Sequence, residues 1–215
     1  MRTPTPKLGR VPTHPLWRPF ELADLDEVAK VRVGSQPQRA IVVVPYDEAW
    51  PGEFARVDAL VRGALGDLVV SLVHVGSTSV PGLAAKPVID ADLTVPDSGD
   101  EAAYVPALEA VGFHLRVREP EWEEHRVLTI EDPHTNLHVF SPGAREPQRH
   151  ALFRDWLRSN DEDRAVYAAL KTDLAGRGFT DSMDYNNHKS ELVYDLYEKA
   201  FTADPAHPHD PQPRA

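Results

Sequence analysis

The hydrophobic residues of this chain fall into short apolar runs and into stripes with a helical period. The apolar runs predict buried strands at 41–44, 68–75, 88–95, 113–117, 125–130 and 136–140. The helical stripes predict helices at 51–65, 102–111, 149–157, 164–175 and 184–201. Strands mixed with helices in this order predict an α/β (α+β) fold, with a mixed β-sheet flanked by helices and further helices at the C-terminus.

The two ends of the chain differ from this middle part. Residues 1–39 form an extension whose first 19 residues are rich in proline and basic residues, and we predict that it is flexible with a short helix at 21–33. The domain is predicted to occupy residues 40–201. Residues 202–215 are rich in proline and histidine and are predicted to be disordered, which favours a solvated tail over weak metal binding by His207 and His209.

Two acids interrupt the apolar run at 88–95. Successive strand side chains point to opposite faces of a sheet, so Asp90 and Asp92 share one face while Ile89, Ala91 and Leu93 share the other. Two neighbouring carboxylates repel each other unless a cation lies between them. Mg²⁺ is the cation that prefers one or two carboxylates together with substrate phosphates, and Mn²⁺ is its substitute. The alternative is an exposed acidic strand that follows an ordinary turn.

A turn of small and hydroxyl residues, Gly76-Ser77-Thr78, precedes the acidic strand. Glycine lets the backbone approach a ligand closely, and the Ser77 side chain and the following N–H groups can face a phosphate. Lys86 stands just before the strand and can neutralise such a phosphate. The turn and the strand together favour binding of a phosphorylated ligand.

The stretch HVGSTSVPGLAAKPVIDADL, residues 74–93, is similar to the signature of the bacterial GrpB family, the UPF0157 group. That family resembles the nucleotidyltransferase superfamily of DNA polymerase β, which is marked by Gly-Ser, a spacer and Asp-x-Asp on a strand. Gly76-Ser77 and Asp90-Ala91-Asp92 match this mark, and the resemblance covers residues 41–201. It implies a nucleotidyltransferase-like fold, and transfer of a nucleoside monophosphate from a nucleoside triphosphate with a metal at Asp90 and Asp92.

The superfamily usually has a third carboxylate on a neighbouring strand, and here the candidate strand Asn136–Phe140 has none. His138 lies on it, on the same face as Asn136. A neutral imidazole can ligate a metal or act as a general base, so we predict that His138 is catalytic beside Asp90 and Asp92. The alternative is a structural histidine that satisfies a backbone group.

Six basic residues could neutralise a triphosphate, and they are Lys86, Arg126, Arg154, Arg158, Lys171 and Lys189. Lys189 ends the segment Tyr185–Lys189, which resembles a Y-x-x-x-K element of the family, and Arg126 lies on the strand before Asn136. We select Lys86, Arg126 and Lys189 as nucleotide-binding residues, together with the Gly76-Ser77-Thr78 turn. For each residue taken alone, the alternative is a solvated surface or a surface ion pair.

The net charge and the composition restrict the classes of substrate and partner that we expect. The formal net charge is −11, and a protein that grips a long nucleic acid usually has a basic face, so a polymer substrate is disfavoured relative to a nucleoside triphosphate and a small-molecule acceptor. The chain has no cysteine, which excludes disulfides and thiolate chemistry and fits a cytoplasmic protein. No apolar run has the length of a membrane span, and the first residues lack the apolar core of a signal peptide.

Three functions therefore compete. The first is a metal-dependent nucleotidyltransferase that acts on a small-molecule or protein acceptor. The second is a non-catalytic nucleotide-binding or docking module, since the family resembles domains fused to dephospho-coenzyme A kinase in some bacteria. The third, a metal-dependent hydrolase, depends on His138 alone. Incubation with labelled nucleotides and extracted metabolites distinguishes the first two.

Overall fold

A single mixed sheet of five strands organises the computed structural model, which describes residues 12–34 and 40–214. The strands are β1 (Ser71–Val75), β2 (Ile89–Thr94), β3 (His114–Glu119), β4 (His125–Glu131) and β5 (His134–Phe140). They lie in the order β1-β2-β5-β4-β3, and β2 and β5 are parallel while the other neighbours are antiparallel. The predicted fold class, a mixed sheet flanked by helices, is confirmed.

Seven α-helices surround this sheet in the described ranges. They are α1 (Leu25–Val31), α2 (Trp50–Leu65), α3 (Glu101–Ala110), α4 (Glu146–Ser159), α5 (Asp161–Ala175), α6 (Ser182–Asn187) and α7 (Ser190–Ala203). The single helix predicted at 184–201 is two helices, because α6 ends before His188 and α7 starts after Lys189. Within the same ranges, no helix is both long enough and apolar enough to cross a membrane.

The apolar face of the sheet packs on α2 and α3. Ile89, Ala91 and Leu93 of β2 are fully buried there, in one cluster with Val57 of α2 and Leu108 of α3. Burial of side chains of this size contributes about 1.5–3 kcal/mol for each of the larger ones. A second apolar cluster, built mainly from α4, α5 and α7, lies beyond the end of β1 around Leu83, Leu157 and Leu196. The C-terminal helices are thereby held beside the other, polar face.

The strand predicted at 41–44 is wrong. Val44 forms only an isolated bridge with Ala85, through two backbone hydrogen bonds of 2.9 Å, and it is not part of the sheet. The Ile41 N–H donates instead to the Phe179 carbonyl at 3.2 Å, and Val42 is exposed. The apolar run is therefore a connecting segment whose backbone groups are satisfied by loops.

The turn that follows β1 brings the backbone directly against β2. Gly76 has φ +66° and ψ −171°, a conformation that residues with a side chain rarely adopt. A Cβ atom at this position would lie 2.4 Å from Asp90 Oδ2 and 2.9 Å from Asp90 Cβ. Glycine is thus required both by the backbone conformation and by the close approach to Asp90.

The N-terminal segment and the C-terminal tail pack together on α7, at the buried carboxylate of Glu198. Its Oε1 accepts from Trp17 Nε1 at 2.8 Å, and its Oε2 accepts from His209 Nε2 at 2.9 Å and from the Gln212 N–H at 2.7 Å. The prediction of a disordered tail does not describe residues 204–214, because His209 is buried against Phe201. The part of the predicted flexible extension that falls on residues 1–11 and 35–39 lies outside the described residues.

Replacing Gly76 with alanine should lower the free energy of unfolding by about 1–3 kcal/mol, because the new Cβ would force a strained backbone and displace Asp90. Gly63 of α2 is the matched control, since a Cβ there meets nothing within 4 Å. Gly63→Ala should raise stability by about 0.5–1 kcal/mol. Urea unfolding of both variants measures this, and a Gly76→Ala protein as stable as wild type would contradict the close approach.

Replacing Glu198 with leucine should lower the free energy of unfolding by about 1–3 kcal/mol, because one buried and two partly buried donors lose their acceptor. Both chain ends should become sensitive to trypsin under native conditions. Glu191→Leu is the control, since Glu191 is an exposed partner of Arg214 and such surface pairs contribute about 0–1 kcal/mol. Equal protease resistance of the two variants would refute the role of Glu198.

Candidate functional site

The polar face of the sheet carries the predicted acids. In the parallel pairing of β2 with β5, Asp90 is opposite Asn136 and Asp92 is opposite His138. Residues opposite each other on neighbouring strands point to the same face, so the four side chains lie side by side. The prediction that Asp90, Asp92 and His138 share one face is therefore confirmed by the strand register.

Asp90 lies at the centre of this face. Its Oδ1 accepts a hydrogen bond from Asn136 Nδ2 at 2.9 Å, which fixes the carboxylate across the β2–β5 pair. Its Oδ2 lies towards Gly76 at the end of β1. The carboxylate is therefore held from both neighbouring strands while it remains only half-buried at the cavity.

Asp92 is buried and is paired with a histidine that the sequence did not reveal. His150 Nδ1 lies 2.9 Å and 3.1 Å from the two carboxylate oxygens of Asp92. Burial acts to lower the pKa of His150, but the hydrogen bond and the charge of Asp92 outweigh it and raise that pKa above its usual value. His150 is on α4, one turn after Glu146, and no local pattern marks it as a neighbour of β2.

His138 belongs to a chain of three polar side chains on the same face. His138 Nδ1 lies 3.0 Å from His125 Nε2, and His125 Nδ1 lies 2.6 Å from Glu119 Oε2. Burial, and then the neighbouring His125, lowers the pKa of His138 to about 4. The imidazole of His138 is therefore neutral at physiological pH, which suits a base better than a cationic anion binder.

A cluster of lysines lies at the other end of the face, beside the Gly76 turn. Lys171 of α5 is buried and donates from Nζ to Ser77 Oγ at 2.8 Å. Burial first, and then the charge of Lys189, lowers the pKa of Lys171 to about 6. Burial also lowers the pKa of Lys189 to about 8, and burial with repulsion from Lys189 lowers the pKa of Lys86.

The same lysines contact two buried tyrosine rings. Lys171 Nζ is 4.6 Å from the ring centre of Tyr167, and Lys189 Nζ is 4.8 Å from that of Tyr185. Lys86 Nζ is 5.3 Å from the Tyr185 ring. Cation–π contacts of this kind hold the ammonium groups in place without neutralising them.

A cavity of about 850 Å³ joins the lysine cluster, Asp90 and the series His138–His125–Glu119, while the buried Asp92 is not part of its lining. Its far wall is formed by α1, whose ends are fixed to the body of the protein. Ala23 exchanges two hydrogen bonds of 2.9 Å with the Asn187 side chain, and the Val33 N–H donates to the Arg116 carbonyl at 2.8 Å. The volume is in the range of small-molecule sites.

Two of the predicted nucleotide-binding residues, Arg126 and Thr78, do not offer a free polar group to a ligand in this cavity. Arg126 is opposite Val139 on β5, so its side chain points to the apolar face and forms an ion pair with Glu101 at 2.5 Å. Thr78 lines the cavity but is buried, and its hydroxyl is 3.2 Å from the Val88 carbonyl that it donates to. Gly76, Ser77, Lys86 and Lys189 do line the cavity, and Lys171 takes the place that we assigned to Arg126.

Asp90 and Asp92 meet some, but not all, of the requirements of a site for a hard divalent cation. Two carboxylates that line one face are the donors Mg²⁺ prefers. Across the described chain, however, the three ligating atoms of Asp90, Asp92 and His138 do not all lie within 4.8 Å of one another. The expectation that His138 lies within reach of a metal shared with both acids is therefore wrong here, and its Nδ1 lies 3.0 Å from His125 Nε2 on β4.

Another cluster in the described chain, His14, Asp204 and His207, does have ligating atoms within 4.8 Å of one another. His14 Nδ1 accepts from the Leu16 N–H at 3.0 Å, so the ring proton of neutral His14 is on Nε2. That nitrogen donates to Asp204 at 3.0 Å and has no lone pair for a metal. The cluster therefore joins the two chain ends and is not a metal site.

Comparison with known proteins identifies the domain. A family model described as "GrpB protein" matches residues 40–199, which leaves α1 outside the match. A UPF0157 protein of Halalkalibacterium halodurans is 47% identical over 177 residues, which cover 81% of this chain and 91% of that protein. A dephospho-CoA kinase of Mycobacterium bovis is 30% identical over 207 residues, which cover 84% of this chain but only 50% of the kinase.

A solved structure gives the same result. The crystal structure of the conserved protein GrpB from Enterococcus faecalis aligns with a TM-score of 0.66 and 27% identity, covering 75% of this chain and 98% of that one. The family match and the relative at 47% identity each extend over most of the chain. This chain belongs to the GrpB family.

Proposed function

We propose that this protein is a divalent-metal-dependent nucleotidyltransferase, which transfers a nucleoside monophosphate from a nucleoside triphosphate to a small-molecule or protein acceptor. The observation that carries the proposal is the convergence of three elements around Asp90. These are the Gly76-Ser77 turn, the second acid Asp92 and the lysine cluster of Lys86, Lys171 and Lys189.

The lysine cluster is the proposed triphosphate site. Three lysine amino groups line one cavity, and within the described residues none of them forms an ion pair with a carboxylate. Burial lowers the pKa of all three lysines, and repulsion by Lys189 lowers the pKa of Lys171 and Lys86 further; a bound phosphate anion opposes these shifts. Ser77 adds a hydroxyl that is already 2.8 Å from Lys171. A polyanion is thus the ligand that lowers the free energy of this cluster most.

Asp90 and Asp92 would hold Mg²⁺ or Mn²⁺ beside these phosphates. The cation would neutralise charge on the reacting phosphates and on the two acids. Around it, this chain's own residues supply orientation: Asn136 holds Asp90, and His150 holds Asp92. Catalysis would then consist mainly of positioning and charge stabilisation, with His138 as the proposed base.

A small acceptor fits the charge distribution better than a polymer. The chain has a net charge of −11, whereas the cationic groups near the site lie inside one cavity. Such a cavity attracts a small phosphorylated ligand, but it does not offer the long basic surface that a nucleic acid backbone requires.

The second candidate is a nucleotide-binding or docking module without turnover. It is favoured by two observations: Asp92 is paired with His150 in place of a free metal ligand, and the domain matches half of a dephospho-CoA kinase. Both candidates bind a nucleoside triphosphate, and only the first releases pyrophosphate.

The direct test incubates the protein with α-labelled nucleoside triphosphates, Mg²⁺ or Mn²⁺ and a metabolite extract. A labelled product together with released pyrophosphate is the expected result. Nucleotide binding without pyrophosphate release in any fraction would replace the proposal with the binding-module alternative.

The double variant Asp90→Asn, Asp92→Asn should lose the metal-dependent stabilisation that a nucleoside triphosphate gives. At about 100 times its Kd, a ligand stabilises the folded state by roughly 2.7 kcal/mol, which thermal unfolding detects. Asp132→Asn is the control, because Asp132 is an exposed residue in the β4–β5 turn. If nucleotide and metal stabilise the double variant as much as they stabilise wild type, the metal binds at a site other than Asp90 and Asp92.

Nucleotide binding should be accompanied by proton uptake. In the free protein at about pH 7.5, Lys171 is mostly neutral because its pKa is about 6, and a bound phosphate raises that pKa. Affinity should therefore fall by nearly tenfold per pH unit above about pH 6, until the pH reaches the raised pKa of the complex. Calorimetry in buffers of different ionisation enthalpy measures the uptake directly.

Lys171→Met should remove this uptake and flatten the pH dependence of the affinity. Lys30→Met is the control, since Lys30 is an exposed residue on α1 that pairs with Glu27. An uptake that is the same in wild type and in Lys171→Met would show that another group takes the proton.

A further inference from the structure

In the hydrogen-bonded series Glu119–His125–His138, the donor and the acceptor of each hydrogen bond are fixed. Glu119 Oε2 lies 2.6 Å from His125 Nδ1, and an ionised carboxylate can only accept. His125 Nδ1 therefore carries a proton. A neutral His125 then presents a lone pair on Nε2, which lies 3.0 Å from His138 Nδ1.

It follows that His138 Nδ1 must carry the proton of its ring. A neutral imidazole has one ring proton, so His138 Nε2 keeps its lone pair. Within the described residues, no hydrogen bond is made by that second nitrogen. The three side chains thus select one of the two tautomers of His138, and they select the one with a basic Nε2.

Packing holds the chain of side chains in this arrangement. His125 is buried, and its ring is stacked between Phe140 at 4.7 Å and His138 at 5.3 Å, with interplanar angles of 18° and 11°. Trp122 contacts it edge-on at 5.1 Å. A ring that is held on three sides cannot turn to exchange its two nitrogens without disturbing these contacts.

We propose that Glu119 and His125 are positioning residues that keep His138 Nε2 unprotonated, so that His138 accepts the proton of a hydroxyl group on the acceptor. This inference rests on the proposed nucleotidyl transfer. The acceptor oxygen forms a bond to the α-phosphorus, the bond from that phosphorus to the bridging oxygen breaks, and pyrophosphate leaves with the electron pair. The hydroxyl proton moves to His138 Nε2, and the Nδ1 proton stays on the bond to His125.

The class of acceptor follows from this base. A phosphate or carboxylate acceptor is already an anion at neutral pH and needs no proton acceptor. A hydroxyl does need one, and a carboxylate behind two imidazoles stabilises the imidazolium that results. We therefore assign the acceptor to alcohols.

The order of the strands also indicates which part of the cavity the acceptor occupies. Ser77 and the lysines lie at the β1 side, the acids are on β2, and His138 is on β5. The remaining part of the cavity lies over β4 and β3, where it is lined by Val117, Val127 and Val28 of α1 beside the polar Arg116 and Thr129. An alcohol with an apolar portion fits this part, and α1 lies outside the family match, at 40–199.

The test is ¹⁵N NMR of the histidine rings in the resting protein, without nucleotide or metal. We expect His138 to show a protonated Nδ1 and an unprotonated Nε2. His125→Phe keeps a ring between Phe140 and His138 but removes both nitrogens, so it should shift the proton of His138 at least partly to Nε2. His114→Phe is the control, since His114 is exposed on β3 and lies outside the cavity.

A wild-type spectrum with a protonated His138 Nε2 would overturn the inference. So would a His125→Phe protein, folded by its thermal melting curve, in which the His138 tautomer is that of wild type. If His125→Phe does not fold, Glu119→Ala provides the comparison, because it frees His125 to hold its proton on either nitrogen and should give a mixture of His138 tautomers.

Turnover then separates this inference from the proposed function. With an acceptor identified in the labelled-nucleotide experiment, His125→Phe should lower kcat by tenfold or more and leave the KM for the nucleotide unchanged. Transfer to a phosphate or carboxylate in place of an alcohol would overturn the assigned acceptor class. An absence of pyrophosphate release in wild type with the expected tautomer would refute the function and the base role, while the tautomer itself would stand.

Discussion

The close contact between Gly76 and Asp90 is the constraint on which the site depends. The β1–β2 register puts Val75 opposite Asp90, and the backbone at Gly76 then turns away with no room for a side chain. Ser77, the next residue, lines the same cavity as Asp90. Lys171 reaches Ser77 from α5, so the position of the C-terminal helices relative to the sheet depends on the same turn.

Much of the polar face could be predicted from the sequence, because alternation along β2 and β5 is visible in the pattern of apolar residues. Isolated acids between Ile89, Ala91 and Leu93 can only lie opposite to the core. The same rule failed for Arg126, because four consecutive residues of β4, 125–128, are buried and their sequence has no alternation from which to read the face. Only the register with β5 shows that Arg126 points to α3.

Two groups of the site come from helices: His150, which the sequence did not reveal, and Lys171, which was one of several basic candidates and was not selected. His150 and Lys171 reach the site from α4 and α5, and their positions depend on how those helices pack beside the sheet. A helical stripe predicts which face of a helix is apolar, but it does not say which strand a polar residue at its margin will contact. The tail was misjudged for a related reason: its composition is that of a solvated segment, whereas the buried carboxylate of Glu198 gives its His209 and Gln212 a partner.

The charge of the whole chain and the charge of the cavity have opposite signs, and the local field determines the ligand. Acids outnumber basic residues by 34 to 23, yet the three lysines at the Ser77 turn have no carboxylate partner among the described residues, while Asp92 is paired with His150. One end of the cavity therefore favours an anion, and the other holds a neutral histidine that is connected to Glu119. In the proposed reaction the phosphates of the nucleotide would lie at the first end, and the uncharged hydroxyl of the acceptor would lie at the second.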